Sequence, residues 1–341
     1  MGSFPKADAD IKKLSEMVYA PVCTKALFAG IELEVFSELA EPKTHGEVAE
    51  KLGLHPDNTR HLLDVLTAIG LLEKNQGVYQ NRELAGKYLV RDSDLFVGSH
   101  IRKYSIVAGF DDLDIVKWVK DGPGDEFEDK KGLEAEELYG DYAQIIKDNQ
   151  RAGRAHDVAE LVSSLPEFDS FKKMLDLGGG PGLIGMAIVE RHPEMKGVIF
   201  DIPNMTQVAL KALKEYNLED RFEILSGDYM VDAIGEGYDF ILASGALNFA
   251  KPDLDLIIQK IYDALNPNGV FMCIQEGMTE EKTDPREMVL GWLPSSLRGA
   301  SEFSFDKGEI SDAILRNGFR SVCKSTGDYF MGEMDIDIAR K

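Results

Sequence analysis

The stretch Met174-Leu175-Asp176-Leu177-Gly178-Gly179-Gly180-Pro181-Gly182 decides the fold of the second half of the chain. It begins as an apolar strand, passes through four glycines in five positions, and opens a helical pattern over Leu183–Glu190. Glycines there can adopt positive φ and let backbone approach a ligand closely. The free N–H groups of the helix N-terminus then face that ligand. A second short apolar run, Gly197-Val198-Ile199-Phe200, ends in Asp201, about 20 residues after the turn. A carboxylate at that place accepts hydrogen bonds from ribose hydroxyls. The expected ligand carries a nucleoside.

Working outward, apolar runs near 174–177, 197–201, 222–226, 238–243, 269–275, 319–325 and 334–339 alternate with helical patterns. Such alternation specifies a mostly parallel α/β sheet with helices on both faces, a Rossmann-like fold. The last run alternates Met334, Ile336 and Ile338 with acidic residues, which suits an antiparallel edge strand. Ligands bind at the carboxyl ends of parallel strands, where the glycine turn, Asp201, Asp228 and Gly245 fall.

The first half reads differently. Leu27, Phe28, Ile31, Val35, Phe36 and Leu39 recur at helical spacing. Thr44-His45-Gly46-Glu47 is a capping-box pattern that starts a short helix to Leu52. Gly53 stops it, and Asp57 or Asn58 caps a second helix through Ile69. Leu71–Glu73 and Val78–Gln80 flank a turn at Asn75-Gln76-Gly77, a hairpin. Helix, turn, helix and β-wing make a winged helix. Between Thr44 and Val90 five basic residues face six acidic ones, so the basic face of a DNA reader is missing. A dimerisation module fits better, with residues 11–40 packed on a partner. Residues 92–165 read as helical, with a loop at Asp121-Gly122-Pro123-Gly124, a charged stretch Asp125–Glu137 and a long helical pattern Tyr139–Val162. The expected organisation is a winged-helix dimerisation domain over 1–95, a helical substrate-cover region over 96–165 and a nucleoside-binding domain over 166–341.

Sixty acidic and 38 basic residues give a net charge of −22. That balance argues against nucleic acid and anionic membranes as partners. No apolar run is long enough to span a membrane, and no basic-then-apolar leader begins the chain. Cys23, Cys273 and Cys323 are odd in number and widely spaced. They read as buried thiols in a reducing compartment, with no metal site. A cytoplasmic enzyme is expected.

The spacing D-x-G-x-G-x-G at Asp176, Gly178, Gly180 and Gly182 resembles the first motif of class I S-adenosylmethionine (SAM) methyltransferases. Phe200-Asp201-Ile202-Pro203 is similar to the "DLP" signature of one of their families, and Gly227-Asp228-Tyr229-Met230 to its "GDFF" segment. Ala264–Gly269 and Asn317-Gly318-Phe319 add two further matches. Residues 12–340 thus resemble the O-methyltransferases that include hydroxyindole and caffeate enzymes. The resemblance implies SAM as methyl donor, Asp201 on the ribose and Asp228 near the adenine. It also implies a homodimer and an acceptor pocket roofed by residues 95–160. The cofactor set expected is Asp176, Gly178, Gly180, Gly182, Asp201, Asp228, Tyr229 and Ser244.

One departure bears on mechanism. After the fourth strand the family reads "LHDW", whose His is the general base, whereas here Ala246-Leu247-Asn248-Phe249-Ala250 puts Asn248 in its place. An amide cannot take up a proton near neutral pH; it can only orient a group. The family's acidic partner falls at Gln275 or Glu276, so Asn248 and Glu276 are the catalytic candidates. His100, His156 and Glu276 are candidate replacement bases. His100, Tyr104, Tyr142, Asn149, Met288 and Trp292 are candidate acceptor contacts. Three functions follow: methyl transfer to a small aromatic or conjugated acceptor on O, C or S; SAM binding without methylation, as in a regulator; and DNA sensing, which the acidic balance disfavours.

Overall fold

The computed structural model describes residues 11–107, 109–111, 113–122, 142–298, 304–329 and 332–341. The chain divides into two compact units, Met1–Arg102 and Lys103–Lys341.

In the first unit a long helix, Lys12–Glu32, precedes a short one, Val35–Glu38, strand β1 (Lys43–Thr44) and helices His45–Leu52 and Pro56–Ala68. The capping box is present: Thr44 N–H donates to the Glu47 carboxylate at 2.8 Å, and Glu47 N–H donates to Thr44 Oγ1 at 3.4 Å. Gly53 ends that helix at φ 66°. The cap of the following helix is His55, not Asp57 or Asn58; its Nδ1 accepts from Asn58 N–H at 3.4 Å. Pro56 explains the earlier start, since it has no N–H to satisfy and its φ is preset for a first helical position. Strands β2 (Leu72–Asn75) and β3 (Val78–Asn81) form the hairpin, and β1 adds to β3 in the order β1-β3-β2. Val35, Phe36, Leu39, Leu63, Leu66, Leu72 and Tyr79 make the core. Two cations of the second helix and wing, Arg60 and Lys74, both lie against Asp64, at 3.9 and 2.6 Å. The outer helix leaves Leu14, Met17, Val18, Tyr19 and Val22 exposed.

The second unit is built on seven strands: β4 (Lys173–Leu177), β5 (Lys196–Asp201), β6 (Phe222–Ser226), β7 (Tyr238–Ser244), β8 (Leu265–Gln275), β11 (Ser321–Tyr329) and β12 (Gly332–Arg340). A separate parallel pair joins β9 (Gly277–Met278) to β10 (Phe305–Asp306). The sheet order is β11-β12-β8-β7-β4-β5-β6, parallel except at β12. Alternate residues serve opposite faces. Leu175, Ile241, Ala243 and Phe271 pack with helix Leu254–Ala264 on one face. Met174, Phe240, Leu242 and Met272 pack with helices Ala155–Ser163 and Leu183–Glu190 on the other. Both faces are covered, so these strands read as continuous apolar runs.

Three expectations change here. Strand β12 is antiparallel, but it lies between β8 and β11 rather than at the edge. Its acidic residue Asp337 is buried and accepts from Ser311 Oγ at 2.8 Å, so this member of the polar alternation faces a hydroxyl, not water. The edge on that side is β11, which is polar and largely exposed. The helical pattern toward Val162 is not continuous: a helix over 142–149 passes into a π-helical turn, Gln150–Arg154, with Gly153 at φ 129°, before Ala155–Ser163. Of the three thiols only Cys273 is buried; Cys23 is half-buried and Cys323 exposed on β11. The charged stretch Asp125–Glu137 lies outside the described residues. Among the described residues no helix is long and apolar enough to cross a membrane.

Candidate active site

The carboxyl ends of β4, β5, β6, β7 and β8 carry Gly178, Asp201, Asp228, Ser244 and Glu276 at or just beyond their last residues. The fold thus gathers, along one edge, residues that are up to a hundred positions apart.

The glycine turn leaves β4 with Gly178 N–H bonded to Phe200 O at 2.8 Å. Gly178 and Gly182 both take positive φ, 65° and 80°, and a Cβ at either would stand within 2.5 Å of Ala246 or Ile199. Only glycine fits these two places. Asp176 lies beneath the turn, 1% exposed, and its Oδ2 accepts from Gly185 N–H at 3.1 Å. Burial pushes its pKa up to about 7, against the pull of that hydrogen bond. Asp201 locks the turn from β5: Oδ2 accepts from Gly180 N–H and Oδ1 from Ile202 N–H, each at 2.7 Å. Burial raises its pKa despite those two donors.

Beyond β6, Asp228 is exposed and accepts from Met230 N–H at 2.8 Å. Tyr229 turns the other way. Its ring approaches Gly178, and its hydroxyl donates to Ala246 O at 2.5 Å. Burial raises its pKa. Ser244 Oγ accepts from Arg154 Nη2 at 2.9 Å.

On the β7–β8 side a polar cluster forms. Asn248 Nδ2 donates to Glu276 Oε1, and Gln275 Nε2 donates to Glu276 Oε2. Gln275 Nε2 also donates to Asn248 Oδ1 at 2.9 Å, while its own Oε1 accepts from Leu247 N–H at 3.2 Å. Glu276 is 6% exposed, and burial raises its pKa while the amides and Arg154 oppose the shift. Sequence reasoning left Gln275 and Glu276 as alternatives; the structure engages both.

The other candidates are dispersed. His100 is buried on helix Gly98–Val107 and belongs to the first unit. Tyr104 is half-buried with its pKa pushed up to about 12. Its hydroxyl sits 3.2 Å from where a Cβ of Gly291 would be, so it meets helix Arg286–Leu297, which carries Met288 and Trp292. Met288 is buried and Trp292 half-buried. Tyr142 is 41% exposed, and Asn149 immediately precedes the π-helical turn. His156 is exposed, lies 3.2 Å from Arg191 and lines a cavity of about 220 Å³ bounded by Leu183, Glu190 and Tyr216. That places it away from the strand-end cluster.

Two residues were not found by motif. Gln150 holds the π-helical turn on the glycine turn, donating to Gly179 O at 3.2 Å and accepting from Leu183 N–H at 3.0 Å. Arg154 ends the same turn. No sequence signal marks a π-helical insertion, and both residues read as an ordinary polar helix face. Among the described residues no cluster of His, Cys, Asp and Glu could hold a metal.

The geometry suits a nucleoside. The turn offers backbone at positive φ, and the Asp201 carboxylate has acceptor capacity beyond its two backbone donors. Comparison with known proteins agrees. The chain is 26% identical over 343 residues to acetylserotonin O-methyltransferase of Bos taurus, covering 96% of this chain and 97% of that one. It is 24% identical over 327 residues to the tetracenomycin polyketide synthesis 8-O-methyl transferase TcmO of Streptomyces glaucescens, covering 93% of each. It is also 26% identical to the N,N-dimethyltransferase OxyT of Streptomyces rimosus, covering 95% of each. The fold superposes on human N-acetylserotonin methyltransferase in complex with SAM with a TM-score of 0.78 at 23% identity, covering 100% of this chain and 99% of that one. Residues 16–91 match the O-methyltransferase dimerisation domain, and residues 116–293, just over half the chain, match the O-methyltransferase domain. This chain belongs to the O-methyltransferase domain family and is a SAM-dependent methyltransferase.

Proposed function

We propose that the enzyme methylates a small aromatic or conjugated acceptor that is already nucleophilic when it binds, and that the protein aligns it without removing its proton. The observation that carries this reading is the Asn248–Gln275–Glu276 cluster. Asn248 spends one amide hydrogen on Glu276 and one lone pair on Gln275. An amide held in this way can orient an acceptor but cannot take up its proton. Glu276 is a positioning residue: both its oxygens are engaged by amides, which fixes the Asn248 plane.

SAM, when bound, supplies a methyl carbon already activated by its sulfonium. The chain supplies the rest. Gly178, Gly180 and Gly182 bring backbone against the cofactor, Asp201 takes the ribose hydroxyls, and Asp228 and Tyr229 flank the adenine. Asp176 supports the turn from below, and Ser244 anchors the far side through Arg154. Positioning of this kind is worth about 7–11 kcal/mol at best, whereas a general base adds roughly 10²–10⁴-fold. Acidic phenolates, thiolates and electron-rich ring carbons are therefore the acceptors favoured. The similarity to both O-methyltransferases and an N,N-dimethyltransferase supports an acceptor atom chosen by the pocket.

We read residues 1–95 as the dimerisation module of a homodimer, 96–165 as the acceptor cover carrying His100, Tyr104, Tyr142 and Asn149, and 166–341 as the SAM domain, with Met288 and Trp292 on the acceptor side. The exposed Leu14, Met17, Val18 and Val22 form an apolar stripe that a second copy would cover. A cytoplasmic location suits the three unpaired thiols. Methyl transfer from labelled SAM to a series of phenols and thiols of graded acidity tests the reading. Rates should follow the ionised fraction of each acceptor; a preference for the least acidic members overturns it.

A further inference from the structure

The cavity beside His156 takes no part in the strand-end site. It holds about 220 Å³ between the π-helical turn, helix Leu183–Glu190 and the residues that follow helix Pro203–Glu215. That is below the roughly 300–1,000 Å³ of pockets for drug-sized ligands, so its occupant is about one ring or a short chain. The lining is apolar on one side: Leu183 and Met186 are buried, and Ala187 and Leu218 half-buried. The rest is basic. Arg151, Arg191 and His156 line the cavity against a single carboxylate, Glu190. A chain with 60 acidic and 38 basic residues does not gather cations by composition alone.

The basic side chains are held in place by weak contacts. Arg191 donates to Ser163 Oγ at 3.4 Å and lies 3.2 Å from His156 Nδ1, a hydroxyl and an imidazole that position its guanidinium without neutralising it. Arg151 keeps a loose ion pair with Asp148 at 3.6 Å, and His156 lies 3.5 Å from Glu160. A guanidinium fork matches a carboxylate, and the apolar side of the cavity matches the body that would carry one. The cavity also touches the joint beneath the glycine turn. Gln150 joins Gly179 O to Leu183 N–H, and its neighbour Arg151 lines the cavity together with Leu183. An occupant held by Arg151 and packed on Leu183 braces both sides of that joint.

We propose that this cavity is a second ligand site, taking a small organic carboxylate with an apolar body, and that filling it tightens cofactor binding. The coupling rests on the cofactor placement given under Proposed function. A braced glycine turn has less freedom left to lose when the nucleoside arrives, and coupling of this kind is reciprocal.

Benzoate is the probe, with benzamide as its neutral isostere and inorganic phosphate as an anion without a body. In the full chain labelled with ¹³C-methyl methionine, the Met186 signal is identified by its loss in Met186→Leu. Millimolar benzoate should move that signal, and benzamide and phosphate should not. A Met186 signal that benzoate leaves in place overturns the site. One that phosphate moves equally overturns the organic body, and one that benzamide moves equally overturns the role of the arginines. Arg191 is exposed, so Arg191→Gln should fold normally and weaken benzoate about 3–10-fold in the same Met186 titration, as for a half-exposed charge pair; unchanged affinity overturns the proposal. Saturating benzoate should tighten S-adenosylhomocysteine by about 5-fold or more in calorimetry, and Arg191→Gln should need correspondingly more benzoate for the same effect. No tightening, or tightening indifferent to Arg191→Gln, overturns the coupling. Asp201→Ala separates that result from the cofactor placement: unchanged S-adenosylhomocysteine affinity there overturns the placement, whereas weakened affinity there beside no benzoate effect overturns only the coupling.

Discussion

Replacing Asp176 by Asn should change how the stability of the enzyme depends on pH. The Asp176 carboxyl is 1% exposed and takes a single hydrogen bond, from Gly185 N–H at 3.1 Å. Burial, helped by the nearby Asp201 charge, pushes its pKa up to about 7, against about 3.9 in an unfolded chain. The folded state therefore holds this proton to higher pH than the unfolded state does. The stabilisation from the protonated form is complete below about pH 4 and is lost as pH rises through about 7. A shift of roughly three units corresponds to about 4 kcal/mol over the whole range, of which about 2.5 kcal/mol falls between pH 5 and pH 8. Asp176→Asn keeps an acceptor for Gly185 and has nothing to ionise. Urea unfolding of both proteins at pH 5 and pH 8 isolates the effect, because every other titrating group is common to the two. The stability of the native chain relative to the variant should fall by about 2.5 kcal/mol from pH 5 to pH 8. A difference that stays flat within about 0.5 kcal/mol, or rises with pH, refutes the view that Asp176 is a desolvated support for the turn.

Asp201→Ala removes the tether on Gly180 and the proposed ribose acceptor together; S-adenosylhomocysteine affinity measured by calorimetry should fall by about 1.5–3 kcal/mol. Asn248→Ala should retain appreciable turnover on an ionised acceptor, and Asn248→His should not raise it. With two acceptors of different acidity, the pH–rate profiles should track each acceptor; an ionisation common to both and abolished in Glu276→Gln would show that Glu276 is a base. Leu14→Glu with Val18→Glu should convert a homodimer to a monomer in light scattering at micromolar concentration, and a chain that is monomeric before mutation refutes the dimer.

What was legible in the sequence was whatever burial pattern and backbone chemistry write locally. Strands β4, β5 and β7 are covered on both faces, so their apolar runs stand out with boundaries close to the observed ones. The glycine turn is legible because Gly178 and Gly182 have no substitute at their φ. The errors share a cause as well. Strand β12 looked like an edge because Asp337 alternates with isoleucines, and sequence cannot tell a water-covered carboxylate from one bonded to Ser311. The cap at His55 was missed because an imidazole nitrogen is not an ordinary capping group. The π-helical turn was invisible because its residues keep the polarity of a regular helix, and with it went Gln150 and Arg154. The pairing of Asn248 with Glu276 joins positions 28 apart, which only the adjacency of β7 and β8 brings together.

That pattern also weighs methyl transfer against SAM binding alone. A protein that only bound the nucleoside would need the glycine turn, Asp201 and the strand ends of β5 and β6. The costly features lie elsewhere, on the β7–β8 side. Glu276 is buried with its pKa raised, and both its oxygens are engaged by the amides of Asn248 and Gln275. A desolvated carboxyl destabilises the fold, and groups of this kind concentrate where chemistry happens. The Asn248–Gln275–Glu276 cluster sits at the β7–β8 strand ends and bonds to Leu247 and among its own members. An amide held by two neighbours has a fixed orientation. On the acceptor side of a methyl donor, the thing to be oriented is the atom that receives the methyl group.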